Sequence, residues 1–404
     1  MKHIKIKPAA VGVYLIGFII LYLPAMTMAG VLLYLFCLYA AFPLVSLAFF
    51  LIAYFRFRYF EEFSTEHPVK GQEVSYKLSL ASEANVPGPF VSVKFKMISP
   101  DQSVQLNDIH TSLASGEVFT HEYKIRYPYR GIYKVGIDYI ELQEVLSWIS
   151  LLPPVWFRTF YVYPRIIELD AVFPNLQNVV EASGYGQGIL DDYTLFKNLQ
   201  DYRPGDSIKH IAWKKFATTG EPVVKLYEKT SWPGVEIYLD LRREREPDHK
   251  VLEREDCSVE ILVALVKYFL KNQIPVTVHA VNGGNNYYFS GSDNSYFDDF
   301  YKSTINLNFA GDYSPAKVFL ADMQDKLINS STVIFITHRF DSEILDLVYH
   351  SMGSEVSIFT IINQSDMDTA EKQKEILISD SFSHVHGRVI FVNSMHTIKQ
   401  DIEA

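Results

Sequence analysis

Asp206, Asp240, His338 and the pair His384 and His386 are the residues whose types and spacing could support chemistry. Carboxylates and imidazoles carry most acid–base work, but only within reach of a reacting partner. No nucleophile–base pair is evident around Asp206. It follows Pro204-Gly205, a dipeptide that sets a turn, and a carboxylate just after a turn is well placed to cap a helix. His384 and His386 would face one side of a strand, yet no third ligand stands near them, so no zinc site is expected. Cys37 falls in an apolar run and Cys257 in a helical pattern. They form neither a disulfide framework nor a metal motif and are expected to be buried and inert. Gly184, Gly186 and Gly188 read G-x-G-x-G, without the lysine of a phosphate loop or the spacing of a dinucleotide loop. A flexible linker is expected there.

The elements that must position these residues differ along the chain. All 404 residues together hold 48% hydrophobic side chains beside 47 acidic and 37 basic ones. The apolar excess lies at the front. Ala9–Ala29 and Val31–Phe55 are uncharged, and each is long enough to span a bilayer as a helix. A secretory signal is the competing reading, but its apolar core would be shorter and no second span would follow. A two-helix transmembrane hairpin over residues 1–58 is therefore expected, touching lipid through residues 9–55. Lys2, Lys5 and Lys7 precede the first span, and Arg56 and Arg58 follow the second. Both ends are expected in the cytoplasm, with the protein crossing the membrane twice. The net charge of −10 argues against nucleic-acid binding.

Residues 59–165 alternate with a period of two. Glu73–Ala81, Phe90–Ile98, Glu117–Tyr127, Gly131–Leu142 and Phe157–Pro164 predict a β-sandwich-like domain. Residues 166–232 read as a linker followed by a turn, a helix and a strand. Residues 233–404 alternate strand and helix. Gly234–Arg242, Pro275–Val281, Ser331–His338, Glu355–Ile362 and Gly387–Val392 predict short strands, mostly apolar and buried on both faces. Leu252–Asn272 has a helical stripe, and Ser314-Pro315 opens a second helix. The pattern is that of a doubly wound α/β domain, whose ligands sit at the carboxyl ends of the strands.

One stretch binds these parts into a pattern. In "DYRPGDSIKHIAWKKFATTGEPVVKLYEK", Ile208, Ile211, Ala212 and Phe216 fall on one helical face and Gly220 closes the helix. Lys209, His210, Trp213 and Lys214 occupy the other face. It reads either as a solvated face with one anchoring tryptophan or as a docking patch. With "YPRIIEL" and the strand ending at Asp240, this stretch resembles the bacterial family called domain of unknown function fifty-eight. Tyr202, Arg203, Pro204, Gly205 and Asp206 carry its most specific part. "VLSWISLLPP" stands where many members have Asp-Pro-Phe-Gly.

The resemblance implies a von Willebrand factor A-like α/β domain on a membrane anchor, working with a MoxR-type AAA+ ATPase. Such a domain can hold Mg²⁺ through Asp-x-Ser-x-Ser after its first strand, with a Thr and an Asp from other loops. Here Arg242 and Glu244 stand at the serine positions, and His338 stands about where the last Asp would be. A hard cation needs oxygen ligands, so no Mg²⁺ and no other cofactor is expected. The expectation is a non-catalytic, membrane-anchored adaptor serving the ATPase or its client proteins in complex assembly or maturation. The alternative is a membrane-bound hydrolase of envelope metabolism using Asp206, Asp240 or His338.

Overall fold

The computed structural model describes the chain except for residues 1–3, 28–29, 87, 99–105, 173–189, 202–210, 221, 231–233, 244–245, 247, 283–284, 326–331, 340–342, 345, 348–356 and 381–387. It has two compact units, Met1–Pro164 and Arg165–Ala404.

The first unit begins with a short strand, β1 (Ile4–Ile6), and two long apolar helices, α1 (Pro8–Thr27) and α2 (Val31–Phe55). Gly30, with φ of 111°, makes the reversal in a region closed to most side chains. A soluble core helix of this composition would be buried. In these two, only 6% and 11% of the most apolar stretch is covered by protein. Their length and their bare apolar surface are those of membrane spans.

The rest of this unit is a β-sandwich. One sheet has the order β1-β8-β7-β4-β5, formed by β1, β8 (Ile149–Leu151), β7 (Gly131–Gln143), β4 (Phe90–Ile98) and β5 (Ile109–Ser112). β9 (Phe157–Val162) pairs with the other part of β7. The second sheet has the order β2-β3-β6, from β2 (Phe57–Phe63), β3 (Glu73–Ser82) and β6 (Val118–Arg126). Alternation sends Val74, Tyr76, Leu78 and Leu80 of β3 into the core against Val91, Val93 and Phe95 of β4. In β7 the inward set switches from Tyr133, Val135 and Ile137 to Ile140 and Leu142. The cause is a bulge: Lys94 faces Tyr139 while Phe95 faces Ile137, so one extra residue resets the phase.

In the second unit, β10 (Leu190–Asp201) and β11 (Val223–Thr230) form a two-stranded antiparallel sheet. Between them lies the short helix α3 (Trp213–Thr219), ended by Gly220 at φ of 74°. The helix begins later than expected, because Ile211 is drawn into a bridge with Val224. β10 is a strand where a looser connection was expected.

The α/β sheet has the order β14-β13-β12-β15-β16-β17: β12 (Val235–Leu239), β13 (Val276–Asn282), β14 (Asn285–Gly291), β15 (Thr332–Thr337), β16 (Ser357–Asn363) and β17 (Arg388–Val392). β14 alone runs antiparallel among these strands. Between the strands run α4 (His249–Lys271), α5 (Phe297–Ser303), α6 (Pro315–Asp325) and α7 (Thr369–Asp380). α8 (Ile398–Glu403) follows the last strand. Both faces are covered. Ile237, Ile334 and Ile336 join α4, α5 and α8 residues in one core, while Tyr238, Val333 and Phe335 join Ala316 and Phe319 of α6 in another. The doubly wound expectation describes this sheet. Residues Arg165–Val172 belong to the unit as well: Leu169 and Val172 sit in its core, and Arg165 forms a two-pronged pair with the fully buried Glu260 at 3.0 and 2.7 Å.

Candidate functional site

β12 and β15 are neighbours, but the chain leaves β12 for β13 on one side and reaches β15 on the other. Their carboxyl ends therefore flank the point where winding reverses, the place where α/β sheets open a crevice. Leu239 pairs with Ile336, so Asp240 and Thr337 emerge side by side, and the Asp240 N–H donates to the Ile336 carbonyl at 2.9 Å.

The Asp240 carboxylate is nearly sealed from solvent, with 1% of its side chain exposed. Arg242 grips it with both prongs, Nε to Oδ1 at 2.9 Å and Nη2 to Oδ2 at 2.6 Å, and adds its backbone N–H to Oδ1 at 3.0 Å. The Thr337 hydroxyl donates to Oδ2 at 2.8 Å, and His338 Nδ1 lies 3.5 Å from the same atom. Burial alone would raise the Asp240 pKa. The Arg242 hydrogen bonds and the charges of His338 and Arg242 outweigh it and hold the carboxyl below its usual value. A planar guanidinium thus fills the position a cation would take, and both carboxylate oxygens are committed to it. The Asp240 site does not fit Mg²⁺. Glu244 lies outside the described residues. Among the described residues, no group of three or more His, Cys, Asp or Glu is arranged to hold a metal ion.

The arginines beside this site are likewise bonded to acids. Arg243 pairs with Glu255 at 2.6 and 2.7 Å, which raises its pKa. Buried Arg254 meets Asp366 at 3.1 Å, and its carbonyl accepts from Asn363 Nδ2 at 2.8 Å. The loop after β12 is pinned at Gly311, whose N–H donates to the Leu241 carbonyl at 2.9 Å. A Cβ there would stand 2.6 Å from the Val281 carbonyl.

Of the expected docking residues, Tyr202, Arg203, Pro204, Gly205, Asp206, Lys209 and His210 lie outside the described residues, as do Gly184, Gly186, Gly188, His384 and His386. Trp213 and Lys214 lie on α3 and both are exposed, Trp213 to 57%, with the Phe216 ring set edge-on to it at 6.1 Å. Cys257 is buried in α4. Cys37 is exposed on α2, against expectation, because the bare surface of a span is where its apolar side chains point.

A second polar group went unread in the sequence. On the α6 side of the sheet, His279 Nδ1 meets Asp322 at 2.9 Å and its ring stacks on Tyr238 at 4.6 Å. The Tyr238 hydroxyl donates to Glu236 at 2.9 Å. The available signal was Glu236 and Tyr238 at alternate positions of a strand otherwise buried on both faces.

No known family model matches the chain, and no curated protein matches it. Solved structures give partial likenesses. The CARDB domain of a Pyrococcus furiosus protein, crystallised with two metal ions, is 10% identical over 26% of this chain and 84% of its own, with a TM-score of 0.19. The C-terminal domain of Wzt is 11% identical over 29% and 83%, with a TM-score of 0.20. Spo0M, a sporulation control protein of Bacillus subtilis, is 12% identical over 31% and 54%, with a TM-score of 0.17. Likeness at this level carries no argument about fold or function.

Proposed function

We propose that this protein is a membrane-anchored adaptor of the domain of unknown function fifty-eight kind, with a von Willebrand factor A-like α/β domain that presents surfaces rather than reactivity. Its partner on this reading is a MoxR-type AAA+ ATPase or that enzyme's client, met in the cytoplasm beneath a bacterial inner membrane. The observation that carries the reading is Asp240, which stands where such a sheet would place a reactive or metal-binding carboxylate and is bound on both oxygens by Arg242. Thr337, donating to the same carboxylate, supports the A-like reading, because a threonine from another loop belongs to that arrangement. The exposed Trp213 beside Lys214 supports a docking role, since tryptophan dominates the energetics of protein interfaces.

The test is capture of a MoxR-type ATPase by the full-length protein solubilised in mild detergent. Trp213→Ala or Lys214→Glu should each reduce capture by roughly tenfold, the loss of one hot-spot residue. Capture unchanged by both variants would remove the docking patch from the proposal. Absence of any ATPase in the wild-type eluate would remove the partner.

A further inference from the structure

α2 extends well past the start of α1. Tyr14 and Tyr39 stack at 4.5 Å, and each hydroxyl donates to the other residue's carbonyl, at 2.6 and 3.1 Å. This fixes the relative height of the two helices. From that level α1 continues six residues to its start at Pro8, whereas α2 continues sixteen to its end at Phe55. The difference, ten residues, is about 15 Å of helix. The start of α1 is thus level with Val45 and Ser46 of α2.

The turn between β7 and β8 meets both helices near this height. Trp148 accepts from the Lys7 N–H at 2.9 Å and sets its ring against Tyr14 at 4.6 Å. Glu144 accepts from the Ser46 hydroxyl and, at 2.9 Å, from the Leu146 N–H. Tyrosine and tryptophan at one level of a membrane span mark the boundary between hydrocarbon and headgroups. Beyond this boundary one face of α2 packs on the sandwich through Leu47, Phe50 and Tyr54.

Beside that packed face lies a cavity of about 310 Å³. Phe42, Val45 and Phe49 of α2 form one wall; Gly88, Pro89 and Val145 form the others. The Gly88 rim is tightly seated, since a Cβ there would stand 2.1 Å from the Leu113 carbonyl. Phe42, Val45 and Phe49 are 50%, 47% and 44% exposed, so the groove is continuous with the lipid-facing surface of the span. Glu144, 4% exposed, lines the cavity beside Ser46. Among the described residues its partners are neutral donors, and no cationic side chain pairs with it. A buried carboxylate without a cation favours one brought by a ligand, and its oxygens keep lone pairs to accept from it.

We propose that this groove holds one acyl chain of a bilayer aminophospholipid whose headgroup ammonium donates to Glu144. An ethanolamine-type headgroup fits, because its –NH3⁺ both carries charge and donates hydrogen bonds. A choline headgroup has the charge without the donors, and a glycerol headgroup leaves the lipid anionic beside a carboxylate. The inference is independent of any ATPase partner.

The full-length protein in mild detergent is tested by native mass spectrometry with phosphatidylethanolamine, phosphatidylcholine and phosphatidylglycerol of identical chains. One ethanolamine lipid should be retained, roughly tenfold more strongly than the other two, the worth of one charge-assisted hydrogen bond. Glu144→Gln should abolish that preference, and Val45→Trp, which fills the groove, should abolish retention. Equal retention of all three lipids by wild type overturns the proposal, as does a preference that survives Glu144→Gln or binding that survives Val45→Trp. Should Val45→Trp fail to fold by circular dichroism, wild-type protein is crosslinked to a phosphatidylethanolamine bearing a diazirine in its tail. Label concentrated on Phe42–Phe50 supports the groove, and label spread evenly along both spans overturns it.

Discussion

Replacing Arg242 by Ala leaves Asp240 buried with Thr337 and His338 as its remaining side-chain partners. Breaking a buried pair by removing one member costs roughly 3–5 kcal/mol, far more than the pair itself contributes. The Arg242→Ala protein should lose stability of that order in thermal or denaturant unfolding. Arg242→Lys should recover part of it, because a lysine restores the charge without the fork. The same site sets an acid limb. Asp240 has a folded pKa below its ordinary value of 3.8. Its contribution is therefore fully present above that value and is lost as pH falls through the lower, folded one. Asp240→Asn should flatten the decline of stability below about pH 4; a decline as steep as wild type would show that other carboxyls dominate. The site was legible in part: Arg242, two residues after Asp240, stands at a position where a hard cation would need an oxygen ligand. The contribution of Thr337 was not, because it depends on the register between β12 and β15.

Arg165 shows the same physics between elements. It enters the α/β unit directly after the sandwich and clamps Glu260, in the middle of α4. Its guanidinium also reaches the Met395 carbonyl at 3.3 Å. Arg165→Ala should destabilise this unit by about 3 kcal/mol, the lower end for a broken buried pair, since the Arg165 side chain keeps a third of its surface exposed. Unfolding followed by a probe in the α/β unit measures it; no change would mean that Leu169 and Val172 hold the segment alone. Elements with strong periodicity were readable. β4 starts and ends where its alternation does, and α4 follows its apolar stripe from Val259 to Leu270. The elements that escaped are held by partners instead of by pattern. β1 and β8 are three residues each and exist by strand pairing, β1 on β8 and β8 on β7. β10 carries two register shifts against β11, which blur any alternation in "LDDYTLFKNLQD". β14 turns back antiparallel on β13 within "NNYYFSG", a stretch whose asparagines read as turn.

Across the whole molecule, the arrangement of the hairpin constrains how the chain crosses the bilayer. β1, just before α1, joins one sheet of the sandwich, and β2, just after α2, joins the other. On the membrane-anchored reading proposed above, both ends of the hairpin lie on one side of the bilayer, because a single crossing would leave β1 on the far side from β8. On the same proposal the side is set by the cations at those ends: Lys5, Lys7, Arg56 and Arg58 favour the cytoplasm. In intact cells, Gly30→Cys at the reversal should react with a membrane-impermeant maleimide, while Ser147→Cys in the β7–β8 turn should react only after lysis. A reporter fused after Ala404 should be active in the cytoplasm. Reversing the four charges to Glu should weaken this orientation without separating the two ends. Labelling of Ser147→Cys but not of Gly30→Cys from outside would keep the parity and invert the direction, which would exclude a cytoplasmic ATPase as partner. Labelling of both cysteines from outside would leave β1 across the membrane from β8 and break their pairing, and with it the level at which Glu144 meets the membrane.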